Sequence, residues 1–173
     1  PEYIADKMMA GKAVIALEGD KFAGFSYIET WSHSKFVANS GLIIAHEYRN
    51  TGPARRVKAK IFALSRKLYP QAKIFSITTG LAVMKINYEL GFRPVPFSEL
   101  TDDMEFWKGC KGCRNFDILE RNNYKMCLCT GLLFDPAYKA KKPTKPILTG
   151  VSKVLIEAPL NKINSLISFK KND

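Results

Sequence analysis

The residues best placed to do chemistry stand between two regular stretches. Arg49-Asn50-Thr51-Gly52-Pro53-Ala54 follows an apolar run, Phe36 to Ala45, and precedes a stretch in which Ala54, Val57, Ile61, Leu64 and Leu68 recur at steps of three and four. The run reads as a buried strand, His46 to Thr51 as a polar turn, and the periodic stretch as a helix with one apolar face. Pro53 suits the first helical position, where its missing N–H costs nothing. A glycine-containing turn between a strand end and a helix start leaves backbone N–H groups without acceptors, and so suits an anion. Arg49, Arg55 and Arg56 add cations able to make charge-assisted hydrogen bonds. Alternatively, Arg55 and Arg56 share a solvated helix face with Lys58, Lys60, Arg66 and Lys67.

A second constellation is Cys110-x-x-Cys113 and Cys127-x-Cys129, separated by 13 residues. Asn115 to Glu120 and Met126 to Phe134 read as paired strands around the turn Arg121 to Tyr124. Cys127 and Cys129 then share one strand face. With the Cys110–Cys113 knuckle they supply the number and kind of donors for tetrahedral structural zinc. Free buried thiols or a disulfide are the alternatives.

The remaining elements follow from period and punctuation. Pro1 to Lys12 reads as a short helix stopped at Gly11, and Ala13–Leu17 with Phe22–Trp31 as a hairpin around Glu18 to Lys21. Lys73 to Thr78 is a further strand, and Leu81 to Leu90 a helix ended by Gly91. Phe97 to Lys108 opens a short helix capped by Ser98 or Thr101, with Asp102 and Asp103 in its first turn.

Preceded by Gly41-Leu42-Ile43-Ile44-Ala45-His46-Glu47-Tyr48, the segment Arg49 to Ala54 resembles the Arg/Gln-x-x-Gly-x-Gly/Ala signature of the GNAT superfamily of acyl-CoA-dependent N-acyltransferases. Tyr88-Glu89-Leu90-Gly91-Phe92 is similar to the ending of that family's next helix, and the element order matches. The resemblance implies an α/β (α+β) fold with a mixed central sheet flanked by helices, closed here by the cysteine-containing C-terminal hairpin. It implies acetyl-CoA, or succinyl-CoA, as acyl donor and a small primary amine as acceptor. The pyrophosphate of coenzyme A would lie on Arg49, Asn50, Thr51, Gly52, Pro53, Ala54 and Arg55, and its pantetheine arm would pair with Leu42, Ile43 and Ile44 like an added strand. The family's first strand and first helix have no counterpart. A trimmed piece is expected, because Pro1-Glu2-Tyr3-Ile4 starts inside an apparent helix.

Amine acylation needs an oxyanion donor, a base and an acid. A backbone N–H near Ile43 or Ile44 is placed for the first. Glu29, His33, His46 and Glu47 are candidate bases. For the acid, the family often uses a tyrosine four residues before the Gly of Gly-Phe. Asn87 stands there, with Tyr88 one residue and about 100° further round the helix. Tyr88 is then the candidate acid off the family's position; alternatively Asn87 hydrogen-bonds the cofactor, or solvent protonates the thiolate.

Leu81 to Asn87, Gly91-Phe92-Arg93-Pro94-Val95 and Glu105 to Cys110 resemble a bacterial branch of stand-alone N-acetylglutamate-synthase-like members, over roughly Pro1 to Pro136. That implies acylation of the α-amino group of glutamate or a related amino acid in arginine biosynthesis. By charge alone, Lys35, Lys85, Arg93 and Arg114 are candidate partners for the acceptor's carboxylates. A peptide or protein N-acetyltransferase, and a non-catalytic binding module, are the alternative readings. A homodimer is compatible with all three.

Composition bounds the rest. The 173 residues carry a net charge of +11, and from Pro136 onward eight lysines oppose only Glu157 and Asp173. A transferase domain over 1–136 and a basic linker with an amphipathic tail over 137–173 are expected. Such charge attracts polyanions, but most of it is solvated surface, so nucleic acid is not the expected partner. No apolar run approaches the roughly 18 residues of a membrane span, and no signal peptide is visible, so a cytoplasmic setting is the default.

Overall fold

The apolar run at the centre of the sequence becomes the central strand of a six-stranded sheet. The computed structural model describes residues 2–139. In order they form α1 (Glu2–Met9), β1 (Ala13–Glu18), β2 (Lys21–Trp31), β3 (Phe36–Ile44), α2 (Pro53–Leu68), β4 (Lys73–Thr78), α3 (Leu81–Glu89), β5 (Arg93–Val95), α4 (Met104–Lys108), α5 (Phe116–Arg121) and β6 (Thr130–Phe134). The amphipathic tail expected over 151–167 lies outside the described residues. Among those described, no helix is long and apolar enough to cross a membrane.

The strands lie in the order β1-β2-β3-β4-β6-β5. Every neighbouring pair is antiparallel except β3 and β4. Those two are parallel because the chain returns through α2, the crossover that parallel pairing requires. Alternation along the strands divides the core between the two faces. Ile28, Val37, Ile74 and Leu132 join Ile61 of α2 and Phe92 on one side. Ala38, Phe75 and Leu133 join Phe97, Trp107 and Leu119 on the other.

The second face explains how the segment after β5 folds. Phe75 meets Phe106 edge-on at 4.9 Å between centroids, Phe106 meets Trp107 at 4.8 Å, and Trp107 stacks on Phe97 at 5.2 Å. Each such pair contributes about 0.5–1.5 kcal/mol beyond area burial. The Trp107 indole N–H donates to the Thr101 carbonyl at 2.9 Å, so the ring is buried without an orphaned donor.

Three expectations fail here. The cap of α4 is Asp103, which accepts from the Glu105 N–H at 3.0 Å, and neither Ser98 nor Thr101. Phe116 to Arg121 is helical, so the cysteine-containing hairpin does not form. The pattern Phe116, Leu119 is an i, i+3 pair, and Leu119 packs into the aromatic cluster. Finally, β6 pairs with β4 and with β5, a three-residue strand that the sequence reading did not include. Pro94 is tolerated in β5 because β5 is the sheet edge.

Candidate active site

The β3 and β4 ladder stops early. Phe36, Val37 and Ala38 pair with Lys73, Ile74 and Phe75, and beyond them the strands separate. On its other side β3 is irregular: Phe25 pairs with Ile43 and Tyr27 with Ser40, so Ser26 alone faces Gly41 and Leu42. Gly41, at φ +62, is the extra residue of this bulge, a conformation glycine adopts without steric cost. Between the separated strands lies a cleft of about 300 Å³, lined by Asn39 to Leu42, Ser76 to Thr78, Phe106 and Lys58. The β4-facing backbone groups of Asn39 to Leu42 have no ladder partner, so a strand-like ligand arm can pair there.

At the C-terminal end of β3 the chain makes a single helical turn, His46–Tyr48, and then enters α2. Asn50 at φ +64 and Gly52 at φ +96 turn the backbone. The Thr51 hydroxyl donates to the Tyr48 carbonyl at 2.8 Å, and the Thr51 N–H donates to the same carbonyl at 3.4 Å. The N–H groups of Asn50, Gly52, Ala54 and Arg55 have no acceptor among the described residues. Four free amides at the positive end of a 16-residue helix make an arrangement that suits an anion. A recess of about 430 Å³ opens beside it, lined by Ile44, Arg49, Asn50, Arg55 and Lys85 among others. The Arg49 Nε donates to the Ile44 carbonyl at 3.3 Å, which ties the guanidinium to the strand end. Ile44 lines this recess and Leu42 lines the cleft, two residues apart on one strand face, so the two spaces follow one line along β3.

The structure sorts the expected site residues. Leu42, Ile44, Arg49, Asn50, Gly52, Pro53, Ala54 and Arg55 fall along that line, whereas Thr51 lines a separate recess with Val14 to Glu18 and Arg56, and Ile43 points the other way and is exposed. The Arg55 guanidinium is paired with Glu89 on the surface. Lys85, offered as an acceptor-carboxylate partner, lines the recess beside Asn50 and Arg55 instead. Arg93 is held by Glu99, Lys35 lines a separate recess with His33, and Arg114 is exposed.

Of the candidate bases, Glu29 is committed to α1: Lys7 Nζ lies 2.7 Å from its carboxylate, and the Tyr3 hydroxyl donates to it. Burial, with Glu29 beside it, holds the Tyr3 phenol far above its ordinary range. His46 and Glu47 are exposed at the strand end. Tyr88 is 72% exposed and faces solvent, whereas Asn87 is 0% exposed, with neither side-chain polar atom hydrogen-bonded among the described residues.

The sequence reading missed Lys58. It was grouped with the solvated face of α2, yet it is 1% exposed and lines the cleft. The signal was present, since Ala54, Val57, Lys58, Ile61 and Ser65 complete one helix face. Burial alone pushes its ammonium down to about 8.

The four cysteines do converge. Cys110, Cys113, Cys127 and Cys129 all line one apolar cavity of about 20 Å³. All are free, and among the described residues no group of three or more His, Cys, Asp or Glu is placed to hold a metal ion. The expected zinc geometry rested on a strand that is not there: Cys127 and Cys129 precede β6 in a loop. Burial raises the Cys110 thiol and pushes Cys129 up to about 11. Near neutral pH a thiol reagent should therefore modify exposed Cys113 first and Cys129 slowly, with all four titrating after denaturation. Rapid labelling of Cys129, or stoichiometric zinc in protein purified without added metal, would contradict this.

No protein-family model matches the chain, and no curated protein matches it. Solved structures do. N-acetylglutamate synthase from Neisseria gonorrhoeae, complexed with coenzyme A and N-acetylglutamate, aligns with TM-score 0.55 and 16% identity over 79% of this chain and 28% of that one. An acetyltransferase from Bacillus subtilis in complex with coenzyme A aligns with TM-score 0.50 and 14% identity over 78% of this chain and 83% of that one. This chain has the GNAT fold. The same GNAT likeness extends to the ribosomal-protein-alanine N-acetyltransferase from Brucella melitensis, with TM-score 0.51 and 9% identity over 78% of this chain and 75% of that one. The chain spans about a quarter of the length of the Neisseria enzyme.

Proposed function

We propose that this protein is an acyl-CoA-dependent N-acyltransferase, taking an acetyl group from acetyl-CoA to a primary amine. The observation that carries the reading is the continuity of the anion cradle at Asn50 to Arg55 with the cleft between β3 and β4. Coenzyme A is a polyphosphate joined to an amide-bearing arm. Free helix-terminal amides, Arg49 and Lys85 suit the first part, and an unpaired strand edge suits the second. The bulge leaves backbone donors beside the cleft for a developing oxyanion. A small amino acid, with glutamate as the leading acceptor, follows from the sequence resemblance to the N-acetylglutamate-synthase branch. Four free cysteines fit a reducing, cytoplasmic setting.

The test is thiol release from acetyl-CoA and succinyl-CoA against glutamate, other amino acids and a peptide with an N-terminal alanine, alongside calorimetric binding of coenzyme A. Turnover of acetyl-CoA with glutamate is expected. Arg49→Ala should weaken coenzyme A binding by about tenfold or more, since a hydrogen bond to a charged group contributes about 1.5–3 kcal/mol. Turnover of the peptide alone would move the acceptor to protein N-termini. Absence of thiol release with every acceptor, together with absence of coenzyme A binding, would sink the transferase reading.

A further inference from the structure

Amine acylation expels a thiolate, and the usual source of its proton is missing here. Tyr88 faces solvent, Asn87 has no ionisable proton, and Ser76 and Thr78 are far too weakly acidic to serve. Among the residues that line the cleft, Lys58 alone is ionisable. It makes no ion pair among the described residues, and its ammonium sits 6.0 Å from the centre of the Phe92 ring. A buried, unpaired lysine is costly, and methionine or leucine would fill the same helix position without that cost. A group retained against stability at the edge of a reaction cleft is a functional candidate with a physical rationale.

We propose that Lys58 is the proton donor to the leaving thiolate. The inference rests on the transferase reading and names a residue for it. When the tetrahedral intermediate collapses, the C–S bond breaks and its electron pair goes to sulfur. The Lys58 ammonium gives that sulfur one proton, so the thiol of coenzyme A leaves and a neutral amine remains. The amine regains a proton from water before the next turnover. Placement favours the role, because a strand-like arm running along β3 from Ile44 past Leu42 ends in the cleft that Lys58 lines.

The electrostatic surroundings are simple. The facing residues of β3, from Ala38 to Leu42, and of β4, from Phe75 to Thr78, carry no charge, nor do Val83 and Phe106. On α2 and α3, Arg55 with Glu89, and Arg56, Lys60 and Lys85, are exposed. Burial is the one influence that lowers Lys58, and it leaves a proton ready for donation near neutrality.

The experiment compares wild type, Lys58→Met and Lys58→Arg by kcat against pH and by coenzyme A binding, with circular dichroism to check folding. Wild-type kcat should fall as pH rises through about 8. Lys58→Met should bind coenzyme A within a few-fold of wild type, lose about 100-fold or more in kcat, and show no alkaline limb. Lys58→Arg, folded and permanently charged, should recover little of the rate. Undiminished kcat in Lys58→Met with the limb retained overturns the role while leaving the transferase reading intact. Full rescue by arginine assigns the lysine to charge stabilisation and also overturns proton donation. A wild-type protein that neither binds coenzyme A nor releases thiol overturns both readings together.

Discussion

Replacing Gly41 with valine is expected to destabilise the protein by about 3 kcal/mol and to abolish binding in the cleft. Two separate costs add. A β-branched residue held at φ +62 is strained by about 1–2 kcal/mol. A Cβ at this position would also stand 2.3 Å from Tyr27 Cε1 and 2.7 Å from Cδ1, a contact that forces the ring or the strand to move. Tyr27 has little room, being packed edge-on against Tyr3 at 5.7 Å and at a tilt against Phe25 at 6.0 Å. Overpacking of this kind costs about 1–3 kcal/mol. Any relief by straightening β3 would erase the bulge against β2 and shift the register beyond it by one residue, turning Leu42 and Ile44 away from the cleft and the recess, which is how a stability effect becomes a binding effect. Urea unfolding and coenzyme A calorimetry measure the two. Adding Tyr27→Ala separates them further: it should recover the steric part and leave the backbone strain. A Gly41→Val protein with wild-type midpoint and affinity would show that the bulge does not hold the cleft open.

Local signals carried most of the fold. Lys73 to Thr78 begins and ends as the sequence suggests, because Pro70 and Gly80 punctuate it and its apolar residues need no distant partner to be recognised. The Gly52-Pro53 junction was legible for the same reason, and with it the turn whose amides stay free. Failures came where tertiary contacts decide. Phe116 to Arg121 is too short for periodicity to separate helix from strand, and docking of Leu119 on the aromatic cluster settles it. Arg93 to Val95 is a strand only because β6 offers an unpaired edge. Lys58 failed differently. Its charge argued for solvent while its place in the Val57–Ile61 series argued for the core, and the core prevailed. Such a conflict between residue type and position is a pointer to function that periodicity already contained.

That conflict yields a stability prediction independent of catalysis. Lys58→Met is expected to stabilise the protein by about 3 kcal/mol at pH 7, the equivalent of holding a lysine near 8 when its ordinary value is 10.5. The sign follows from proton counts. Below pH about 8 both folded and unfolded chains carry the Lys58 proton, and the folded state bears the full cost of burying that charge. Between about 8 and 10.5 the unfolded chain still binds the proton and the folded one has released it, so wild-type stability rises with pH. Above that range both are neutral and the cost is gone. The advantage of the methionine variant should therefore be largest near neutrality and shrink toward pH 10, which urea unfolding of both proteins at the two pH values will measure. A methionine variant less stable than wild type at pH 7 would mean that the ammonium has a buried partner. An advantage constant with pH would place the gain in apolar packing. The expected pattern, together with a loss of turnover, is that of a residue kept for chemistry at the expense of the fold.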